Sequence, residues 1–294
     1  MNDNIIFLTM VHSPAEKTGA ELLIQSLRQF GGEMSQCHVW LFESDKVQGS
    51  CTDLTPLNVG VFPLEENNAT KHYIFSSKVS ACHQAEKMAL SKTKTLIWMD
   101  TNCLIVQPPL LFDLGDTFDA AVRPVHIRNV GLTREDPIDQ YWRGLYSAIG
   151  VDDIPGAVDS FVDDQHLRPY FNSHAFAVNP ALGLMCKWTE KFESLVSDRD
   201  FQERACKDDL HQIFLFQAIL SALLATSIPS ERLRILPTTY NYPYNLHGRV
   251  PVDKRAQSFN ELVCFTYEDR VIQPDTVNDI QIHEPLRSWL KNWE

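Results

Sequence analysis

The residues with the clearest chemical potential are Asp100 and Asn102, which stand two positions apart between the apolar runs Leu96–Met99 and Cys103–Val106. At the end of a buried strand, a carboxylate and an amide at this spacing can direct two oxygens toward one cation, and hard divalent metals take oxygen ligands. Asp and Asn are also favoured in turns, so these residues taken alone are more typical of a turn between two strands. The pattern allows a metal site without requiring one.

Other residues allow similar alternatives. The tetrads Asp163–His166 and Asp208–His211 each place carboxylates near an imidazole, but Asp208 or Asp209 is well placed to cap the helix that follows. Lys78 precedes the Asp100 strand and is either a point charge for a phosphate or a solvated helix lysine. His283 follows a short apolar run, where a single His is more often a surface or core-edge residue than a ligand.

Composition excludes several function classes. The net charge of −12 argues against a nucleic-acid partner and against an anionic membrane surface. The seven cysteines form no Cys-x-x-Cys pair and predict a reducing compartment. The start lacks a cationic segment followed by an apolar core, and no run approaches the length of an apolar membrane span. We therefore expect a cytoplasmic protein without a membrane span.

Motifs of several enzyme classes are missing from the sequence. It contains no Gly-x-Gly-x-x-Gly after a strand, no phosphate loop ending in Gly-Lys-Ser/Thr, no Gly-x-Ser-x-Gly and no His-Glu-x-x-His. Dinucleotide oxidoreductases, loop-type kinases, elbow-type serine hydrolases and zincins are therefore disfavoured.

The elements that must position these residues alternate between strand and helix. Apolar runs predict strands at 5–11, 37–42, 58–62, 96–100, 119–124 and 175–179, and helical spacing predicts helices at 20–30, 71–90, 181–196 and 209–225. This order predicts an α/β fold with a mostly parallel central sheet flanked by helices, in which ligands bind at the carboxyl ends of the strands. Residues 9–12 and 100–102 both lie at such ends.

The segment from 126 to 169 interrupts this alternation. It is polar, aromatic and irregular, with a short helix predicted at 139–146, and an insertion of this length predicts a lid or an acceptor wall. Its Tyr141, Trp142 and Tyr146 either stack on the rings of a ligand or simply pack the insertion. With no linker or repeat in the sequence, we expect one domain over residues 1–294.

In this order the pieces resemble nucleotide-sugar-dependent glycosyltransferases of the GT-A fold, of the glycogenin and bacterial lipopolysaccharide galactosyltransferase type. The similarity spans residues 4–290 except 126–168. Phe7–His12 stands at the nucleoside-binding strand, Trp98–Val106 is similar to the strand ending in Asp-x-Asp, and Tyr170–Pro180 is similar to a Phe-Asn-Ser/Ala-Gly strand. His211-Gln212 stands for an Asp-Gln pair, and His283–Trp289 for a metal-binding His followed by Lys-Pro-Trp.

The resemblance implies roles for individual residues. The implied metal ligands are Asp100, Asn102 and His283, binding Mn²⁺ or Mg²⁺. The implied catalytic residues are Asn172, His211 and Gln212. The implied nucleotide-sugar contacts are Thr9, Val11, His12, Lys78, Thr101, His174 and Arg287.

Three departures from the family pattern bear on activity. Asn102 replaces the second Asp, His174 replaces a small Gly, and His211 replaces a carboxylate. The resemblance implies transfer of a hexose from a nucleotide diphosphate sugar, a UDP-sugar, to an unknown hydroxyl acceptor. The alternatives are an inactive GT-A-like module that binds a nucleotide or sugar, and a sugar nucleotidyltransferase, although the glycine-rich basic first loop of that class is missing.

Overall fold

The computed structural model describes residues 4–89 and 93–293; Met1, Asn2 and Asp3, and Leu90 of the predicted second helix, lie outside these ranges. The α-helices in the described part are α1 (Pro14–Phe30), α2 (Ser76–Ala89), α3 (Gln140–Ile149), α4 (Leu184–Ser197), α5 (Arg199–Arg204), α6 (Asp209–Ser227) and α7 (Leu286–Lys291). The strands are β1 (Ile5–Val11), β2 (His38–Glu43), β3 (Val59–Pro63), β4 (Thr95–Met99), β5 (Cys103–Ile105), β6 (Ala120–Val122), β7 (Val158–Asp159), β8 (His166–Leu167), β9 (Ala175–Val178), β10 (Leu233–Ile235), β11 (Tyr242–Pro243) and β12 (Cys264–Thr266).

A central seven-stranded sheet has the order β10-β6-β9-β4-β1-β2-β3. All neighbouring pairs are parallel except the two that involve β9, which runs antiparallel to β4 and β6. The predicted α/β fold with a mostly parallel sheet and flanking helices is therefore confirmed.

Side chains that alternate along the strands form a separate core on each face of this sheet. Leu8 and Trp98 belong to the core that also contains buried residues of α2, α4 and α6. Phe7 and Ile97 belong to the core that contains the buried face of α1. Because both faces are covered, the central strands are continuous apolar runs, which is why they could be recognised from sequence.

The reversed direction of β9 brings its preceding residues to the carboxyl end of β4. Met99 pairs with Ala175, and the backbone N–H of Asp100 donates to the carbonyl of His174 at 2.9 Å. Residues 172–174 therefore lie at the same sheet edge as Asp100.

A small second sheet brings a carboxy-terminal segment to this edge. In it β12 runs antiparallel to β5, with Thr266 opposite Cys103. The backbone N–H of Tyr267 then donates to the carbonyl of Asn102 at 3.0 Å. Residues 266–268 are thus the tail residues that reach the Asp100–Asn102 turn.

The first helix packs closely on the same turn. A Cβ atom at Gly19 would lie 2.5 Å from the carbonyl oxygen of Thr101 and would clash with it, so glycine is the residue that allows this contact. This close approach fixes α1 beside residues 100–102.

The structure corrects the start of one predicted helix and decides between two alternatives for the insertion. Helix α2 begins at Ser76 rather than near residue 71, because Phe75 has a φ of +62° and cannot continue a right-handed helix. In the insertion, Tyr141, Trp142 and Tyr146 are buried in the core, so these aromatic side chains pack the insertion and are not exposed to stack on a sugar.

Among residues 4–89 and 93–293, helix α6 is long and apolar enough to cross a membrane by length and composition alone. Most of this helix is buried against the rest of the protein, including α4. It therefore serves as a core helix in this structure.

Candidate functional site

A cleft of about 1010 Å³ opens at the carboxyl ends of β1 and β4. Loops after the two strands, the start of α2 and the residues that follow β12 form its walls. Of the site residues predicted from sequence, five line this cleft: His12, Lys78, Asp100, Thr101 and Asn102. The expectation that residues 9–12 and 100–102 share an edge agrees with this geometry.

The lining of the cleft contains a buried ion pair. Lys78 Nζ lies 2.7 Å from the carboxylate of Asp100, and the two side chains are 7% and 18% exposed. Trp98 Nε1 donates to Asp100 Oδ1 at 2.7 Å. Both oxygens of this carboxylate therefore have a nearby donor within the protein.

Aromatic rings hold the Lys78 ammonium in place. Its Nζ lies 5.7 Å from the ring centroid of Phe75, 5.5 Å from that of Trp98 and 5.3 Å from that of Phe216. It also donates to the carbonyl of Ser173 at 3.3 Å. Ring faces attract a cation, so this cage keeps a positive charge at the cleft wall although the residue is only 6% exposed.

The predicted metal ligands do not form a site for a divalent cation. Asn102 contributes no charge, and its Oδ1 accepts a hydrogen bond from Thr266 Oγ1 at 3.4 Å. Asp100 is paired with an ammonium, and in residues 4–89 and 93–293 no three His, Cys, Asp or Glu side chains form a group that could hold a metal. Hard divalent cations bind through several oxygen donors with carboxylates among them, so the residues present do not fit one.

His283 and Arg287 lie far from this cleft. The backbone of His283 is hydrogen-bonded to Asn260, whose carbonyl accepts from the side chain of Gln107. Gln107 lies beyond the far end of β5, about 15 Å from Asn102 at the rise of an extended chain. The predicted third metal ligand is therefore not brought to Asp100.

Arg287, like His283, lies away from the cleft. It pairs with Asp275 at 3.4 Å, and the neighbouring Trp289 packs on Phe30 at the end of α1. Phe30 is about 16 Å along that helix from Gly19, which touches Thr101. The motif match in the irregular tail therefore did not predict where Arg287 lies. The prediction that Arg287 contacts the donor has no geometric support.

Asn172 and His174 form a polar network beside the cleft. Asn172 Oδ1 accepts from the backbone N–H of His174 at 2.8 Å, from its Nδ1 at 3.0 Å and from Asn241 Nδ2 at 2.6 Å. The other ring nitrogen of His174, Nε2, faces Glu268 Oε1 at 3.4 Å.

Glu268 is one of the cleft carboxylates that sequence reasoning missed. It lines the cleft beside Tyr267, and its φ of +48° is uncommon for a non-glycine residue. The hydrogen bond from His174 lowers the pKa of Glu268 below its ordinary value, which keeps the carboxylate charged. The sequence does show that Glu268 follows the short run Cys264–Thr266, which could be read as a strand. Nothing in the local sequence indicates that this strand pairs with β5 and so reaches the cleft.

At the other end of the cleft, His12 follows β1. Lys46 Nζ lies 3.0 Å from His12 Nε2, which therefore accepts the hydrogen bond and leaves the proton on Nδ1. Nδ1 has no hydrogen-bond partner within the described residues. This nitrogen is itself buried, so it does not face the open cleft.

The remaining predicted residues do not line the cleft. Thr9 and Val11 are buried within β1, and Val11 belongs to the core beneath α1. His211 and Gln212 lie in the first turn of α6, where His211 packs on Tyr141 and bonds to Asp208. The residue of α6 that reaches the 172–174 segment is Gln217, nearly two turns after His211. Its Oε1 accepts a hydrogen bond from Ser173 Oγ at 2.9 Å.

The two Asp-Asp-x-His tetrads have structural roles. Asp208 caps α6 by accepting from the backbone N–H of His211, as the capping alternative predicted. Asp163 accepts from the backbone of Arg128, and Asp164 pairs with Lys254. They form no shared metal site among the described residues.

Comparison with known families gives the class of the protein. A family described as the Rhodobacterales glycosyltransferase domain matches residues 7–222. The chain belongs to this glycosyltransferase family. Its matched region includes Lys78, Asp100, Asn102 and residues 172–174, and no curated protein sequence matches the chain significantly.

Solved glycosyltransferase structures share the fold of this enzyme. Mouse xyloside xylosyltransferase 1 in its apo form has a TM-score of 0.51 and 12% identity, over 90% of this chain and 97% of that one. The bifunctional glycosyltransferase WbbM in its apo form has a TM-score of 0.54 and 11% identity, over 92% of this chain and 46% of that one. The glycosyltransferase GlyE of Streptococcus pneumoniae TIGR4 has a TM-score of 0.50 and 12% identity, over 98% and 59%. At such identities the likeness shows the fold alone.

Proposed function

We propose that this glycosyltransferase transfers a hexosyl unit from a nucleotide diphosphate sugar, specifically a UDP-sugar, to a hydroxyl acceptor. The observation that carries the proposal is the cleft at the carboxyl ends of β1 and β4, with the caged Lys78 at its wall. Open α/β sheets bind nucleotides at this edge, and the volume of about 1010 Å³ is at the upper end of the range of small-molecule sites.

The two ends of the cleft suit the two ends of such a donor. The end near β1 offers the exposed Lys46 ammonium and the Ser44 side chain, which suit the polar groups of a nucleoside. The end near β4 offers the Lys78 ammonium for the diphosphate, with Asp100 and Glu268 as acceptors for sugar hydroxyls. A carboxylate accepts strong hydrogen bonds from hydroxyl groups, which would orient the sugar.

The reaction exchanges one bond at the anomeric carbon of the donor. The acceptor hydroxyl oxygen forms a bond to that carbon, while the bond from the carbon to the diphosphate oxygen breaks and its electron pair leaves with the nucleoside diphosphate. The hydroxyl proton is released with the diphosphate product. Lys78 stabilises the negative charge that develops on the leaving oxygen.

A panel of nucleotide sugars with different bases and sugars tests the proposal. We expect a UDP-hexose to raise the thermal stability of the protein and to release UDP when hydroxyl acceptors are added. The variant Lys94→Met changes an exposed lysine away from the cleft, and it should behave as the unmodified enzyme.

Each other outcome identifies another function. Saturable binding of a donor without turnover on any acceptor would indicate a binding module. Formation of a nucleoside triphosphate from a nucleotide sugar and pyrophosphate would indicate a nucleotidyltransferase. Binding of no nucleotide sugar would contradict the proposal. A cytoplasmic location and a single domain over residues 1–294 stay predictions.

A further inference from the structure

We infer that this enzyme binds the diphosphate of its donor without a divalent cation, using the caged Lys78 ammonium as the counter-ion. The inference rests on the proposed function for the identity of the diphosphate. It departs from the resemblance, which implies Mn²⁺ or Mg²⁺ at Asp100, Asn102 and His283.

The first support is the charge at the expected metal position. Asp100 and Lys78 carry opposite charges 2.7 Å apart, and Asn102 is neutral, so these three side chains together carry no net charge. Divalent-cation affinity depends on the number of charged oxygen ligands. A cation here would also lie near the Lys78 ammonium, and like charges at short range repel.

The second support is the way in which Lys78 is held. Three aromatic rings, the carbonyl of Ser173 and the Asp100 carboxylate surround the ammonium, and the residue is 6% exposed. It still lines the cleft. A lysine that only balanced Asp100 would not need three rings, whereas a cation fixed before a ligand arrives suits an anion.

The third support is the position of the tail residues. His283 lies beyond the far end of β5, and the residue that reaches Asn102 in its place is Thr266, a neutral hydroxyl. Glu268, the nearby acid, is directed to His174. None of these side chains completes a group of three metal-binding acids, cysteines or histidines among the described residues.

Two measurements that need no sugar donor test the inference. Electron paramagnetic resonance of Mn²⁺ alone should show no site that is lost in Asp100→Asn. Calorimetry with inorganic pyrophosphate in excess EDTA should show binding to the unmodified protein. One equivalent of Mn²⁺ that disappears in Asp100→Asn, or pyrophosphate binding only when Mn²⁺ is present, would overturn the inference.

A charge-balanced variant assigns the binding to Lys78. Removing Lys78 alone would leave Asp100 buried and unpaired, so Lys78→Met is combined with Asp100→Asn, and circular dichroism checks the fold. We expect this double variant to bind pyrophosphate at least tenfold more weakly in EDTA, and Lys78→Arg to retain binding within severalfold. Lys87→Met, on the exposed side of the same helix, should be unchanged. Unchanged binding by the folded double variant would refute the role of Lys78.

These arms separate the two proposals. If pyrophosphate binds in EDTA but no nucleotide sugar is a substrate, the proposed transfer fails while the metal-free anion site holds. If a UDP-sugar is turned over only with Mn²⁺, the transfer holds and the metal-free inference fails.

Discussion

Two ion pairs of this glycosyltransferase lie in opposite environments, and each contains a residue that the resemblance assigned to contact with the nucleotide sugar. Lys78 and Asp100 meet inside the cleft with side chains 7% and 18% exposed. Arg287 and Asp275 meet on the surface with side chains 42% and 71% exposed. Buried charges interact strongly and must be paired, whereas exposed pairs contribute little.

The difference shows how positions are determined. Asp100 is set by the sheet and Lys78 by the first turn of α2, so several neighbours hold each of them. Arg287 lies on the short helix α7, which packs near the far end of α1. The position of a charged residue at the end of a sheet strand can therefore be inferred from the sequence. The position of a charged residue in the irregular tail cannot.

The largest expected effect is at the buried pair. Asp100→Asn leaves the Lys78 ammonium without its counter-ion and should lower the free energy of unfolding by about 3–5 kcal/mol. Urea denaturation measures this change. Asp275→Asn, the matched change in the exposed pair, should cost at most about 1 kcal/mol. Equal losses would contradict the contrast between the two pairs.

A smaller effect is expected at Glu268, another carboxylate that lines the cleft. Glu268→Gln keeps the shape of the side chain but removes its charge, and a hydrogen bond to a charged group contributes about 1.5–3 kcal/mol, which corresponds to a loss of roughly 10- to 100-fold in kcat/KM for the donor. Steady-state kinetics measure this loss. The neighbouring Asp269→Asn does not line the cleft and should be near the unmodified value. An unchanged kcat/KM in Glu268→Gln would show that the Glu268 carboxylate does not contribute to donor recognition.

The pH response of Glu268 tests its contact with His174. The hydrogen bond from His174 lowers the pKa of Glu268 below 4.5. A carboxyl with a lowered folded pKa stabilises the protein above its unfolded pKa, and this stabilisation is lost as pH falls through the folded pKa. In His174→Gln, the pKa should rise toward 4.5.

Carbon-13 NMR of labelled glutamate measures this pKa, with Glu268→Gln to identify the resonance. His166→Gln, which changes an exposed histidine paired with Asp159, is the control. A Glu268 pKa that does not move in His174→Gln would mean that the two side chains do not interact in solution.

The smallest effect is expected in the tail. His283→Ala and Arg287→Ala should each change donor kcat/KM less than about twofold, because neither residue lines the cleft and exposed charge pairs contribute little. A tenfold loss in either variant would show that the tail moves toward the cleft when the donor binds. That result would restore the roles that the resemblance implied.

Regular periodicity made much of the fold predictable. The strand Ile5–Val11 was predicted with the bounds that the structure has, and the mostly parallel sheet followed from the alternation of strands and helices. The shared edge of His12 and Asp100 followed as well, because parallel strands end together. The aromatic residues of the insertion were ambiguous, since burial and sugar stacking favour the same side chains.

Local residue order determined which strands and helices form and which polar residues stand at their ends. It could not determine which distant segments meet there, because the pairing of β12 with β5, the reversed β9 and the packing of Phe216 near Lys78 depend on contacts between residues far apart in the chain. Those contacts placed Glu268 in the cleft and kept His283 and Arg287 out of it. The Asp100–Asn102 turn was visible in the sequence, but its partner proved to be an ammonium, since a side chain acquires its charge environment only when the chain has folded.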